Sequence, residues 1–99
     1  MVVMMRLPST KNLQAFLATA EYLNLTHAAE SLNMTQGAVS RQIQSLESLM
    51  EVSLFYRRAR GLALTPEGSM FIPLAQDIIK RLQRSVREVS ESANRVKLL

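Results

Sequence analysis

The stretch Thr26-His27-Ala28-Ala29-Glu30-Ser31-Leu32-Asn33-Met34-Thr35-Gln36-Gly37-Ala38-Val39-Ser40-Arg41-Gln42-Ile43 constrains the fold of this chain most tightly. It reads as two helices joined by a tight turn. Thr26 is a candidate cap for a short helix over 27–32, with Ala28, Ala29 and Leu32 facing inward. Two adjacent alanines leave room for another helix to approach closely. Asn33-Met34 makes the turn, and Met34 returns an apolar side chain to the core. Thr35 then caps a longer helix running to about Met50. At 100° per residue Val39, Ile43, Leu46 and Met50 fall in one arc, with Gly37, Arg41, Gln44 and Ser48 roughly opposite. Gln36 and Ser40 flank the arc at the helix start.

The flanking segments complete a small domain. Ser9 or Thr10 can cap a first helix over Lys11–Leu23, whose Leu13, Phe16, Leu17 and Ala20 keep i, i+3, i+4, i+7 spacing. Asn24-Leu25 ends it. Leu54–Arg57 and Leu62–Leu64 are short apolar runs on either side of Arg58-Ala59-Arg60-Gly61, a pattern for a β-hairpin with a basic tip. Thr65-Pro66-Glu67 is a strong helix start: a capping hydroxyl, a proline at the first helical position and an acid in the first turn. A long helix follows to about Val96. Along it Phe71, Ala75, Ile78, Leu82, Val86, Val89, Ala93 and Val96 recur at steps of four and three, a heptad-like stripe with one extra residue near Leu82–Val86. A second copy of the chain is the simplest cover for it. Pro73 predicts a kink near 70–74. The expected fold class is therefore mainly α: a winged helix-turn-helix, with a three-helix core and a two-stranded wing, followed by a long linker or dimerisation helix.

At 99 residues the chain holds one small domain and an appendage, and 47% apolar content belongs to a folded chain. The formal net charge of +4 suits a polyanion partner without proving one. Its distribution says more: between Glu51 and Glu67 stand three arginines and no acid. Without cysteine there are no disulfides or thiolate metal sites. The apolar run Met1–Met5 is too short for a signal core, and its positive charge, Arg6, follows instead of preceding it. No segment reaches membrane-spanning length. The expectation is a soluble, cytoplasmic protein without metal or cofactor. An enzyme is not expected: there is one histidine, no phosphate-cradling glycine loop and no acid pair at catalytic spacing.

A helix that is apolar on one side and carries short hydrogen-bonding side chains on the other suits the major groove of DNA. Gln36 can pair with adenine, or be a solvated glutamine. Ser40 can donate to a base or phosphate, or back-bond within its helix. Arg41 can fork onto guanine or hold a phosphate, or form a surface pair with Glu47 or Glu51. Gln44 lies one turn on, within reach of the backbone. Gly37 permits close approach. Thr26 and Thr35 are caps first, and their first-turn amides also suit phosphate, which puts Thr26 and His27 against the sugar-phosphate chain; no chemistry is assigned to His27. Arg57, Arg58 and Arg60 form the wing, gripping phosphates, entering the minor groove, or serving as a solubilising loop. Arg84 and Arg87 read as a solvated face with Glu88 and Glu91.

Ala28-Ala29-Glu30-x-Leu32, Gln36-x-Ala38-Val39-Ser40-Arg41-Gln42-Ile43, Leu46-Glu47, Leu54-Phe55, Arg57 and Leu64-Thr65-Pro66-Glu67-Gly68 resemble the LysR-type transcriptional regulators over about residues 10–82. The resemblance implies a bacterial winged helix-turn-helix dimerised through its linker helix. It also implies major-groove positions at Gln36, Gly37, Ser40 and Arg41, a wing beginning at Arg57, and phosphate contacts at Thr26 and Thr35. Family members usually carry a C-terminal effector-sensing domain. The expected organisation here is a DNA-binding domain over 1–65 and a linker helix over 66–99, with no effector domain. A small-molecule effector would act only through that missing domain, and tetramers would belong to a full-length protein. Gly37 stands where the family usually has proline, Glu51 where it usually has glycine, and Leu23-Asn24-Leu25 where Gly-Ser-Phe is common; Pro73 is unlike many members. The expected function is site-specific binding of double-stranded DNA as a dimer for transcription regulation. The alternative is a helical protein–protein interaction module built on 66–99.

Overall fold

The computed structural model describes residues 6–98 along the backbone and 6–95 in their side chains. The Met1–Met5 run and the Val96 side chain, expected in the apolar stripe, lie outside the described residues. The order is α1 (Thr10–Tyr22), α2 (Leu25–Leu32), α3 (Gln36–Met50), β1 (Phe55–Arg58), β2 (Gly61–Leu64) and α4 (Pro66–Leu98). This is the winged helix-turn-helix with a long following helix. Among the described residues no helix is long and apolar enough to cross a membrane.

Each of the first three helices starts on a polar side chain and ends on a left-handed residue. Ser9 and Asn12 form a reciprocal capping box on α1. Asn24 caps α2, its Oδ1 accepting the His27 amide at 3.0 Å. Thr26, expected as that cap, lies inside the first turn instead. The helix begins two residues earlier than expected because Leu25 packs against the α2–α3 core. Thr35 caps α3 as expected, accepting from the Ala38 amide at 3.1 Å. The α2–α3 turn is closed by Asn33 at φ 55°, with Met34 N–H donating to Ala29 at 2.9 Å and Asn33 N–H to Glu30 at 3.1 Å. This paired closure is the Schellman arrangement. Leu23 (φ 50°) ends α1, one residue short of the expected helix, and Glu51 (φ 57°) ends α3. The position where the family usually has glycine thus takes the left-handed conformation, with a side chain bearing Cβ in place.

The core forms two linked clusters. Ala15, Ala29, Val39 and Ile43 close the α1–α2–α3 junction, with Met34 and Leu32 packed on it. Leu13, Phe16, Leu46, Leu54 and Ala75 form the second. The Phe16 ring lies 5.6 Å from Phe55 of the wing and 5.2 Å from Phe71 of α4, so one aromatic joins three elements. α1 is buried more widely than its single expected stripe: Asn12, Ala15, Ala18 and Thr19 are buried as well as Leu13 and Phe16. The Thr19 hydroxyl has no hydrogen-bond partner among the described residues.

The wing is an antiparallel pair in the register Phe55↔Leu64 to Arg58↔Gly61. Arg58 and Gly61 thus belong to the ladder, and the tip shrinks to Ala59-Arg60. Gly61 has φ 121°, and a Cβ there would meet the Leu23 carbonyl at 2.8 Å. The Leu62 amide donates to that same carbonyl at 3.1 Å, which fastens the wing to the α1–α2 junction.

Thr65 starts α4 as expected: its hydroxyl accepts the Gly68 amide at 2.9 Å and donates to the Ser53 carbonyl at 2.7 Å. The helix runs continuously through Pro73, which sits on its exposed side. Phe71 and Ala75, expected in the dimer stripe, are a correction. Ala75 is fully buried and Phe71 packs on Phe16, so both complete the core of their own chain. Ile72 and Ile79 also pack there, so the globular packing runs past residue 65 into α4. Beyond it Ile78, Leu82, Val86 and Val89 remain 48%, 46%, 59% and 72% exposed.

Candidate nucleic-acid interface

α3 is held from behind and bare in front. Val39, Ile43 and Leu46 are buried, while Gln36, Gly37, Arg41 and Gln44 are exposed and Ser40 is half-buried. Nothing lies within 4 Å of a Cβ built on Gly37, so the backbone there is open on its outer side. Two part-buried anchors fix the helix. Asn12 Nδ2 donates to the Gln42 carbonyl at 3.0 Å and to Gln42 Oε1 at 2.8 Å. Glu47 Oε2 accepts the Leu54 amide at 2.7 Å, tying the start of the wing to α3. The expected surface alternative for Arg41, an ion pair with Glu47, therefore competes with a carboxylate that already accepts a backbone amide.

Thr26 and Gln36 meet across the turn: Gln36 Nε2 donates to Thr26 Oγ1 at 2.8 Å, with both side chains exposed. A narrow cleft between α3 and the wing is lined by Ser40, Gln44, Glu47 and Arg57 over a floor that includes Leu25 and Ile43. A second, between the start of α2 and the wing, is lined by Asn24, Thr26, Arg57, Arg58 and Gly61. Arg57 borders both. The structure thus gathers Thr26, Gln36, Ser40, Gln44, Arg57 and Arg58 around one side of the domain. Thr35 and Arg41 are exposed on α3 and its cap. Arg58 also lies 5.7 Å over the Tyr56 ring, which steadies the guanidinium.

Arg60 and His27 also lie outside the linings of these clefts. Arg60 occupies the exposed wing tip. The His27 ring, 6.2 Å from that of Tyr22, leans towards the end of α1. Asn12, Asn24 and Glu47 are positioning residues that sequence reasoning missed. Asn24 carried a readable signal, a capping residue three positions before His27; Asn12 and Glu47 act through distant partners.

Residues 10–69 match the family model described as bacterial regulatory helix-turn-helix protein, lysR family. The chain belongs to the LysR family. It is similar to the glycine cleavage system transcriptional activator of Escherichia coli, 43% identical over 84 residues, or 85% of this chain and 28% of that protein. It is also 47% identical over 70 residues to the HTH-type transcriptional activator AmpR of Pseudomonas aeruginosa, covering 71% of this chain and 24% of AmpR. The chain thus spans roughly a quarter of the length of these LysR relatives. Among solved structures, the CbnR_DBD–DNA complex superposes with a TM-score of 0.83 at 34% identity, covering 86% of this chain and 98% of that one. Vibrio fischeri DarR in complex with DNA gives a TM-score of 0.82 at 31% identity, covering 95% and 30%.

Proposed function

We propose that this LysR-family chain binds a specific site in double-stranded DNA as a homodimer and regulates bacterial transcription from the cytoplasm. The observation that carries the reading is the arrangement around Arg57. An exposed polar side of a core-braced helix faces a basic two-stranded wing across a cleft. Gln36, Gly37, Ser40 and Arg41 of α3 meet base edges in the major groove. Gln44, Thr35 and the start of α2 at Thr26 and His27 lie along the backbone. Arg57, Arg58 and Arg60 reach the minor groove or the flanking phosphates. Phosphate contacts supply salt-dependent affinity and α3 supplies specificity. The likeness to two structures of DNA complexes supports this assignment.

Dimerisation uses the outer part of α4, through Ile78, Leu82, Val86 and Val89, with the globular unit ending near Ile79. The exposed stripe on its own also favours a second reading, a helical protein–protein interaction module. An electrophoretic shift assay on a mixed pool of duplex DNA at low salt separates the two. The DNA-binding reading expects a retarded band at micromolar protein or below; no shift would favour the interaction module.

A further inference from the structure

We propose that Thr26 is a specificity-determining residue: its hydroxyl bridges a DNA phosphate and the Gln36 amide, and so sets that amide to accept adenine and refuse guanine. The inference rests on Gln36 facing a base and goes beyond it. Gln36 Nε2 donates to Thr26 Oγ1 at 2.8 Å. Because Asn24 caps α2, the Thr26 hydroxyl is not needed to cap the helix. A hydroxyl has one proton to donate and two lone pairs to accept with, whereas a phosphate oxygen only accepts. A Thr26 hydroxyl seated against phosphate must direct its proton there and keep a lone pair for Gln36. That leaves one orientation for the amide, with the nitrogen towards Thr26 and with Oε1 and the second N–H free.

A free amide oxygen beside a free N–H is the complement of adenine, which presents a donor at N6 and an acceptor at N7 in the major groove. Guanine presents acceptors at both O6 and N7, so Oε1 would face O6 acceptor against acceptor. Remove the hydroxyl and nothing holds the amide against turning over. The freed amide can then swing its –NH2 group alone towards guanine O6 and N7 with Oε1 turned away, so guanine is no longer refused and discrimination falls although the Gln36 side chain remains. Contact with phosphate and the choice of base are thereby joined through one proton.

The test compares the unaltered chain with Thr26→Val, Thr26→Ser and Gln36→Ala on duplexes selected from a randomised library at one salt concentration. The unaltered chain and Thr26→Ser are expected to prefer adenine over guanine at one base pair per half-site by about tenfold, the order set by one bidentate pair. Thr26→Val should narrow that preference to roughly threefold or less while other positions keep theirs. Thr26→Ala is the second hydroxyl deletion, better suited to a helix should valine disturb folding. Uniformly weaker binding by both deletions, with the adenine preference intact, would overturn the proposal and leave Thr26 a phosphate contact. A guanine preference at the position that Gln36→Ala erases would overturn the amide orientation. Unchanged base preferences in Gln36→Ala would instead remove the base-reading role on which the proposal stands.

Discussion

Gly68 lies in the first turn of α4, where alanine is ordinarily the better residue by up to about 1 kcal/mol. The structure reverses that sign. A Cβ on Gly68 would drive into the Leu54 carbonyl oxygen and sit 3.0 Å from Leu64 Cδ2. The obstacle is backbone with its own commitments: the Leu54 carbonyl accepts the Thr65 amide at 3.1 Å, and the Leu54 amide is held by Glu47. Moving α4 outward would also open Phe71 and Ala75 from Phe16. Overpacking a site that cannot give way costs about 3 kcal/mol, the upper end of its usual range. Offset by the propensity gain of about 1 kcal/mol, Gly68→Ala should destabilise by about 2 kcal/mol. That corresponds to a midpoint lowered by roughly 8–16 °C for a domain of this size. Gly37→Ala is the matched control, because nothing lies within 4 Å of its Cβ and helix propensity acts alone. It should leave the midpoint unchanged or raise it. Thermal and urea unfolding followed by circular dichroism, at one protein concentration because dimerisation shifts the midpoint, measures both. A Gly68→Ala midpoint equal to or above that of the unaltered chain would refute the packing argument.

Thr19→Val replaces a buried hydroxyl that lacks a partner with a methyl and should stabilise by about 1 kcal/mol in the same unfolding assay; a loss of stability would imply that the hydroxyl is satisfied. Glu51→Gly should gain about 0.5–1 kcal/mol, since the exposed residue holds φ 57° against its Cβ; a neutral result would mean that the strain is relieved elsewhere. Leu82→Glu, on the exposed part of α4, should weaken self-association roughly tenfold or more in sedimentation equilibrium without altering the helical circular dichroism. An unchanged dissociation constant would take the stripe out of the dimer. Arg57→Ala should reduce the slope of log affinity against log salt by about 1; an unchanged slope would mean that this arginine releases no counterion.

Local sequence chemistry carried much of this fold. The capping hydroxyl at Thr35, the Thr65-Pro66-Glu67 start and the spacing of Val39, Ile43 and Leu46 each place an element by short-range rules, and each element is there. Local rules stop where two neighbours satisfy them equally. Asn24 and Thr26 are both capping residues, and the packing of half-buried Leu25 on the core, a tertiary effect, chooses the first. Periodicity along α4 marks an apolar face but not what covers it, so Phe71 and Ala75 carried the same signal as Leu82 although their own core takes them. Asn12 looks like an ordinary first-turn polar residue. Its importance depends on Gln42, thirty positions away, and no local pattern announces that pairing. The candidate interface was legible as residue types on one helix and one hairpin. Its assembly around Arg57 and the Thr26–Gln36 bridge needed the wing register and the turn geometry.

The central claim is that the outward side of α3 meets base edges. Backbone amide NMR of the labelled chain, titrated at moderate salt with a duplex selected from random sequence, tests it most directly. The account predicts that the largest shift changes fall between Thr35 and Gln44, with a second group over the wing at 56–61. Amides of 36–44 that stay in place while α4 or α1 responds would contradict it.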